Sequence, residues 1–229
     1  MSGDMLALAR LLQLASPALP VGAYSYSGGL EYAIEDGSVT DACSAQEWIA
    51  DVLEFSACSF ELPLLFRMLE AVKAADYDAL ARWNELFVSG RETAELRAES
   101  LQMGHALLAL LDGFPGIDAA ALAELQRIRE LAYPAVYAFA AFQLQVEDAR
   151  AALVGYAWSW LENQVMAALK AVPLGQRAGQ VMLARLGAQL PAIVERACVL
   201  ADDELTNFAP GLAIASSRHE TQYSRLFRS

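Results

Sequence analysis

Apolar residues recur at helical spacing along nearly every long segment of this chain, and no β-branched run shows the strict alternation of a strand. The chain is therefore expected to be all-α. Its 229 residues, 56% of them hydrophobic, are enough to bury one sizeable core. No Gly/Ser linker or repeat period divides them, so residues 1–229 are expected to form a single-domain bundle of about eight to ten helices. The strongest helical patterns are those that span Trp48, Leu107 and Trp160.

Helix boundaries can be read from caps and breakers. Ser44 and Glu47 make an S-x-x-E capping box ahead of Trp48, Ile49, Val52 and Phe55, which predicts a helix start there. Pro63 should kink or split that helix. Asp76 suits the N-cap of a helix that carries Leu80, Trp83, Leu86 and Phe87 and stops at Gly90. A further helix should occupy 91–111 and end at the break DGFPG, another should run from Asp118 to Leu131, and Pro134 fits the first turn of the next. The long apolar stretch from Ala151 to Val172 has Glu162, Asn163 and Gln164 at its centre, which are costly in hydrocarbon, so it reads as a buried helix and not a membrane span. Pro173, Gly175 and Gly179 end it and begin another helix, which Pro191 divides.

Charge and composition exclude several functions. A net charge of −12 argues against general nucleic-acid binding, which needs clustered Lys and Arg. Cys43, Cys58 and Cys198 are scattered, without a C-x-x-C pair, and read as reduced thiols of a cytoplasmic protein. No cationic n-region precedes the first apolar run, so no secretion signal is expected. A helical metallohydrolase or oxygenase would need clustered His and carboxylates, and the chain has two histidines far apart. His105, among Met103, Leu107 and Leu108, reads as a hydrogen-bonded core or interface residue. His219, beside Glu220, reads as exposed or touching a partner, leaving at most weak metal binding there. Glu95 and Glu99 read as a solvated pair on a helix face, and no phosphate-cradling glycine loop occurs. No catalytic residue, metal site or cofactor is expected.

Two segments are unusual. LQLASPALPVGAYSYSGGLE, from Leu12 to Glu31, ends an apolar run in Pro17 and Pro20 and opens into a loop of alternating small and aromatic residues. At the other end the acidic Asp202-Asp203-Glu204 gives way to a tail. From Ser216 onward that tail carries a formal +2, which subtracted from −12 leaves −14 on the rest. The tail's HETQYSRLFRS interleaves Tyr223, Leu226 and Phe227 with Arg225 and Arg228, residue types favoured as interface anchors. It is expected to dock on a partner, with little of the core depending on it.

Between these segments, helical projection gathers Gly90, Arg97, Ser100 and Gly104 in one arc, a groove where a neighbouring helix could approach and where a buried Arg97 would need an acceptor. Residues 171–180, AVPLGQRAGQ, place Gln176, Arg177 and Gln180 near a helix start.

Together, four blocks resemble the urease accessory protein F (UreF) family. They are the Leu12–Glu31 loop, the tail, PLGQRAGQ against the family's P-L-G-Q-x-x-G-Q, and SGRETAELRAESLQMG against its S-R-E-x-x-x-x-R-x-x-S-x-x-M-G, with Gly90 as an insertion. The resemblance runs from about Leu12 to Ser229. It implies an all-helical, dimerising protein that is not an enzyme, binds UreD (also called UreH), recruits the GTPase UreG and sits on urease apoprotein during nickel insertion. By the same resemblance residues 202–229 are a partner-binding tail, with Tyr223, Ser224, Arg225, Leu226, Phe227 and Arg228 facing UreD. Gly22, Tyr24, Ser25, Ser27, Gly28, Leu30 and Glu31 are then ordered with that tail near a UreG-recruiting surface. The alternative implied role is a GTPase-activating protein that lends UreG an arginine.

Overall fold

The computed structural model describes residues 2–229. Its helices are α1 Ser2–Leu14, α2 Leu30–Glu35, α3 Ala42–Val52, α4 Leu62–Lys73, α5 Tyr77–Ser89, α6 Ala94–Leu111, α7 Ala119–Leu125, α8 Tyr133–Gln143, α9 Ala149–Ala171, α10 Gln176–Gly187, α11 Leu190–Val199 and α12 Pro210–His219. Among the described residues there is no strand, ten helices have ten or more residues, and the short α2 and α7 complete the set. The all-α expectation holds. No described helix is long and apolar enough to cross a membrane.

Most boundaries follow the caps. The Asp76 carboxylate accepts the Ala79 N–H at 2.8 Å at the start of α5, and α4, α8 and α11 each hold a proline in the first turn. The start of α3 is corrected: Asp41 caps it, accepting from Cys43 N and Ser44 N at 2.9 Å, while the Ser44 hydroxyl reaches back to the Asp41 N–H. Ser44 is thus the third helical residue, and Asp41 outcompetes it as the cap. The helix predicted over 118–131 stops at Leu125.

Before Pro63 the chain winds as a π segment, Leu53–Glu61. Wider winding loosens the intrahelical ladder, and a crossing stretch of chain takes up part of it. The Ser59 carbonyl accepts from Thr206 N at 3.1 Å, and Ser56 Oγ donates to Asn207 Oδ1 at 2.9 Å.

The core is built around α8 and α9. Every residue from Tyr133 to Ala141 is buried, and α9 is sheathed by α10 and α11 on one side and by α1, α2 and α4 on others. The α6 helix lies along α8 through Gly104, where a Cβ would collide with the Leu131 carbonyl. The expected groove exists, but its arginine is elsewhere. Arg97 lies two helical turns before Gly104, past the end of α8, and its exposed side chain meets the exposed Glu130 at 2.9 Å. Gly90 precedes α6 and faces the Phe60 ring.

Candidate functional site

The loop from Val21 to Leu30 is shaped by three glycines with positive φ: Gly22 at 80°, Gly28 at 58° and Gly29 at 80°. Gly29 also lets the start of α2 press against α12, since a Cβ there would sit 3.1 Å from the Ser216 amide nitrogen. The polar centre of α9 anchors the loop from below. Asn163 Nδ2 donates to the Tyr26 carbonyl at 3.0 Å, and Gln164 is buried beneath Gly28.

The last ten residues, 220–229, form a strap laid over that loop. Arg228 N donates to the Ser25 carbonyl at 2.7 Å, and both the amide (2.8 Å) and the hydroxyl of Ser27 donate to the Ser229 carbonyl. Phe227 is buried in the core cluster. The Lys170 ammonium stands 5.6 Å from the Phe227 ring and 5.9 Å from the Tyr24 ring, bridging strap and loop.

The predicted loop and tail residues therefore converge on one face. They divide by exposure. Tyr223, Ser224, Arg225, Leu226 and Arg228 are exposed, as is Gly22, while Tyr24, Ser25 and Gly28 are half-buried. Phe227, Ser27, Leu30 and Glu31 are buried and support the surface from behind. The expectation that little of the core depends on the tail is corrected by Phe227 and by the backbone bonds of the strap to Ser25 and Ser27.

Beneath the strap lies a polar network that the sequence did not disclose. Glu31, buried near the start of α2, accepts the strap amides of Leu226 at 2.6 Å and Phe227 at 2.9 Å. Glu95 of α6 pairs with Arg225 at 2.7 Å. His219, the last residue of α12, is fully buried between the two carboxylates, with Nδ1 2.6 Å from Glu95 and Nε2 3.2 Å from Glu31. Glu220 caps α6, accepting from Ala94 N at 2.9 Å, and Thr93 Oγ1 meets Ser216 Oγ at 2.7 Å. The reading of His219 as solvent-exposed is thus overturned: the ring is buried and both its nitrogens are engaged within the chain. Of the two readings of His105, core or interface, the core one is corrected. His105 is exposed because Met103 and Leu107 share the packed face of α6 while residue 105 points away.

Glu99 is not solvated either. It accepts the Ser229 hydroxyl at 2.7 Å and lines a cavity of about 70 Å³ with Glu61, Arg91, Tyr133 and Tyr156. Burial pushes its carboxyl from 4.5 up to about 7; the Ser229 hydrogen bond and Arg91 oppose that rise, and Glu61 and Glu95 add to it. Glu61, the last residue of the π segment, accepts from the Tyr156 hydroxyl at 2.5 Å and from Arg91 at 3.1 Å. Among the described residues no three His, Cys, Asp or Glu side chains gather as metal ligands.

The helical body thus carries an ordered loop-and-strap face with exposed aromatic, aliphatic and arginine side chains. A sequence profile of the UreF family matches residues 39–187. A urease accessory protein UreF of Azoarcus sp. (strain BH72) is 55% identical, covering 100% of this chain and 98% of its own length. The proteins of the same name from Methylobacillus flagellatus and Janthinobacterium sp. (strain Marseille) are 52% and 50% identical, each over 97% of this chain. The chain belongs to the UreF family.

Proposed function

We propose that this chain is a cytoplasmic urease maturation factor that uses the strap to bind UreD and the adjoining loop to recruit the GTPase UreG, so that GTP hydrolysis is coupled to nickel insertion into urease apoprotein. The names of its relatives supply the urease context. The observation that carries the docking surface is the pairing of strap and loop, which leaves Tyr223 fully exposed and Leu226 72% exposed on a well-anchored backbone. Apolar side chains held outward in this way cost solvation unless a partner covers them. The same reading includes a homodimer and no enzymatic activity of the chain itself.

The test is co-purification with UreD and UreG followed by nickel-dependent urease activation. The double variant Tyr223→Ala/Leu226→Ala touches no core contact, and it is expected to remain folded while UreD affinity drops about 30-fold, as for hot-spot residues worth about 2 kcal/mol. Unchanged capture and activation would remove the strap from the interface. For the GTPase-activating alternative, Arg225 is already paired with Glu95, so the exposed tail arginines such a role would draw on are Arg218 and Arg228, of which Arg228 lies on the strap. Single-turnover GTP hydrolysis by UreG, with and without this chain and UreD, separates the two roles: a rate increase abolished by Arg228→Ala supports activation, and an unchanged rate supports a checkpoint.

A further inference from the structure

We propose that His219 is the positioning residue of the strap, a buried imidazolium that donates to Glu31 and Glu95 at once and so fixes both carboxylates where the strap needs them. Each carboxylate has two duties. Glu31 accepts His219 Nε2 and the strap amides of Leu226 and Phe227, and Glu95 accepts His219 Nδ1 and the Arg225 guanidinium. Both ring nitrogens therefore face carboxylate oxygens. A neutral imidazole has one donor and one lone pair, and in either tautomer the lone pair would oppose a carboxylate. With both carboxylates ionised, only the doubly protonated ring satisfies both contacts; a neutral ring would require a proton on Glu31 or Glu95.

Charge accounting agrees. Two carboxylates, one guanidinium and one imidazolium sum to zero in a site where Glu31 and His219 are almost or wholly removed from water. The C-terminal end of α12, where His219 sits, also favours a cation. The charged groups that surround the ring are Glu31 from α2, Glu95 from α6, Arg225 from the strap, and Arg218 and Glu220 beside it in sequence. Glu220 is committed to the N-terminus of α6 through Ala94 N and Glu95 N. With the imidazolium absent, Glu31 would keep only the strap amides of Leu226 and Phe227 and Glu95 only Arg225, and the strap's anchors would lose the group that fixes them relative to one another.

This role for His219 deepens the docking reading and rests on it only for its consequence, since the pin itself is a property of the isolated chain. The first measurement is the ¹⁵N spectrum of the His219 ring in the wild-type chain at neutral pH. Two protonated nitrogens are expected, and a neutral tautomer would overturn the proposal. The second is amide hydrogen exchange in His219→Gln, which keeps a polar side chain of similar size without the charge. Exchange at Leu226 and Phe227 should accelerate about tenfold or more while amides of α8 and α9 stay protected. Equal strap protection in the variant would refute the pin. UreD capture by the same variant then separates the two claims: strap release with lost capture supports both, while strap release with undiminished capture supports the pin and removes the docking reading.

Discussion

Around α8, side chains from Tyr133 to Ala141 are buried without a break, and the rings of Tyr133, Tyr137 and Tyr156 pack with centroids 5.0–6.0 Å apart. The strap, by contrast, keeps only Phe227 and Ser229 from water and is held by backbone hydrogen bonds and buried charges. Burial is non-directional, so the interior spreads its stability over many side chains. Buried ion pairs are directional and unforgiving, because removing one partner leaves the other without compensation. The same chain thus carries a body held by many distributed contacts and a strap held by a few directional ones.

The largest expected effect lies in the body. Phe139 is fully buried in α8, and Phe139→Ala should cost about 3–5 kcal/mol, measured by urea denaturation. Because the strap rests on this body, strap and core amides should lose protection together. Selective loss at the strap alone would break the comparison.

Next comes Glu99, which joins the two regions through Ser229. Its folded value near 7 lies above the ordinary 4.5, so between these values the folded state holds a proton that the unfolded state has released. Stability from this group therefore falls as pH rises through that window, by on the order of 3 kcal/mol. Glu99→Gln, which still accepts from Ser229, should flatten that slope and stabilise the protein at pH 8 while changing little at pH 4.5. An unaltered slope in denaturation curves across this range would assign the pH dependence to other groups.

Phe227→Ala sharpens the contrast from the strap side. Its ring contributes apolar burial worth about 1.5–3 kcal/mol, and it also stands over Lys170. Calorimetric destabilisation of that size, with exchange increased at Ser27 and Leu226 before α8, is the expected result. A negligible change would make the strap an appendage, as its position in the sequence first suggested.

How much of this was legible depended on whether the deciding interaction was local. Asp76 and Pro134 revealed helix starts because capping is settled within one turn of chain. Asp41 and Ser44 are both good caps three residues apart, and the sequence carries nothing that ranks them without geometry. The loop and the tail were visible as unusual segments, and their convergence followed from family resemblance, not from periodicity. Glu31 was named with the loop through the family resemblance, but its role as acceptor of the strap amides and the burial of His219, Glu95 and Glu99 were missed, because a polar residue on a helix reads as solvated until the element covering it is known. That element lies at sequence separations from 124 to 196 residues.

The smallest expected effect tests the same lesson on two arginines. Arg97, which would have needed an acceptor if buried, is exposed with an exposed partner, Glu130, whereas Arg225 pairs with Glu95, which is only 15% exposed. Exposed pairs are screened by solvent and spend side-chain entropy, so Arg97→Ala should cost about 0.2–1 kcal/mol and leave strap exchange unchanged. Arg225→Ala leaves a largely buried carboxylate beside His219 and should cost more, about 1.5–3 kcal/mol for a charge-assisted contact, with faster exchange at Leu226. Thermal unfolding of the two variants side by side decides the matter. If Arg97→Ala proves as damaging as Arg225→Ala, exposure does not separate the two pairs, and the division between body and strap by the kind of force that holds them fails at its most accessible point.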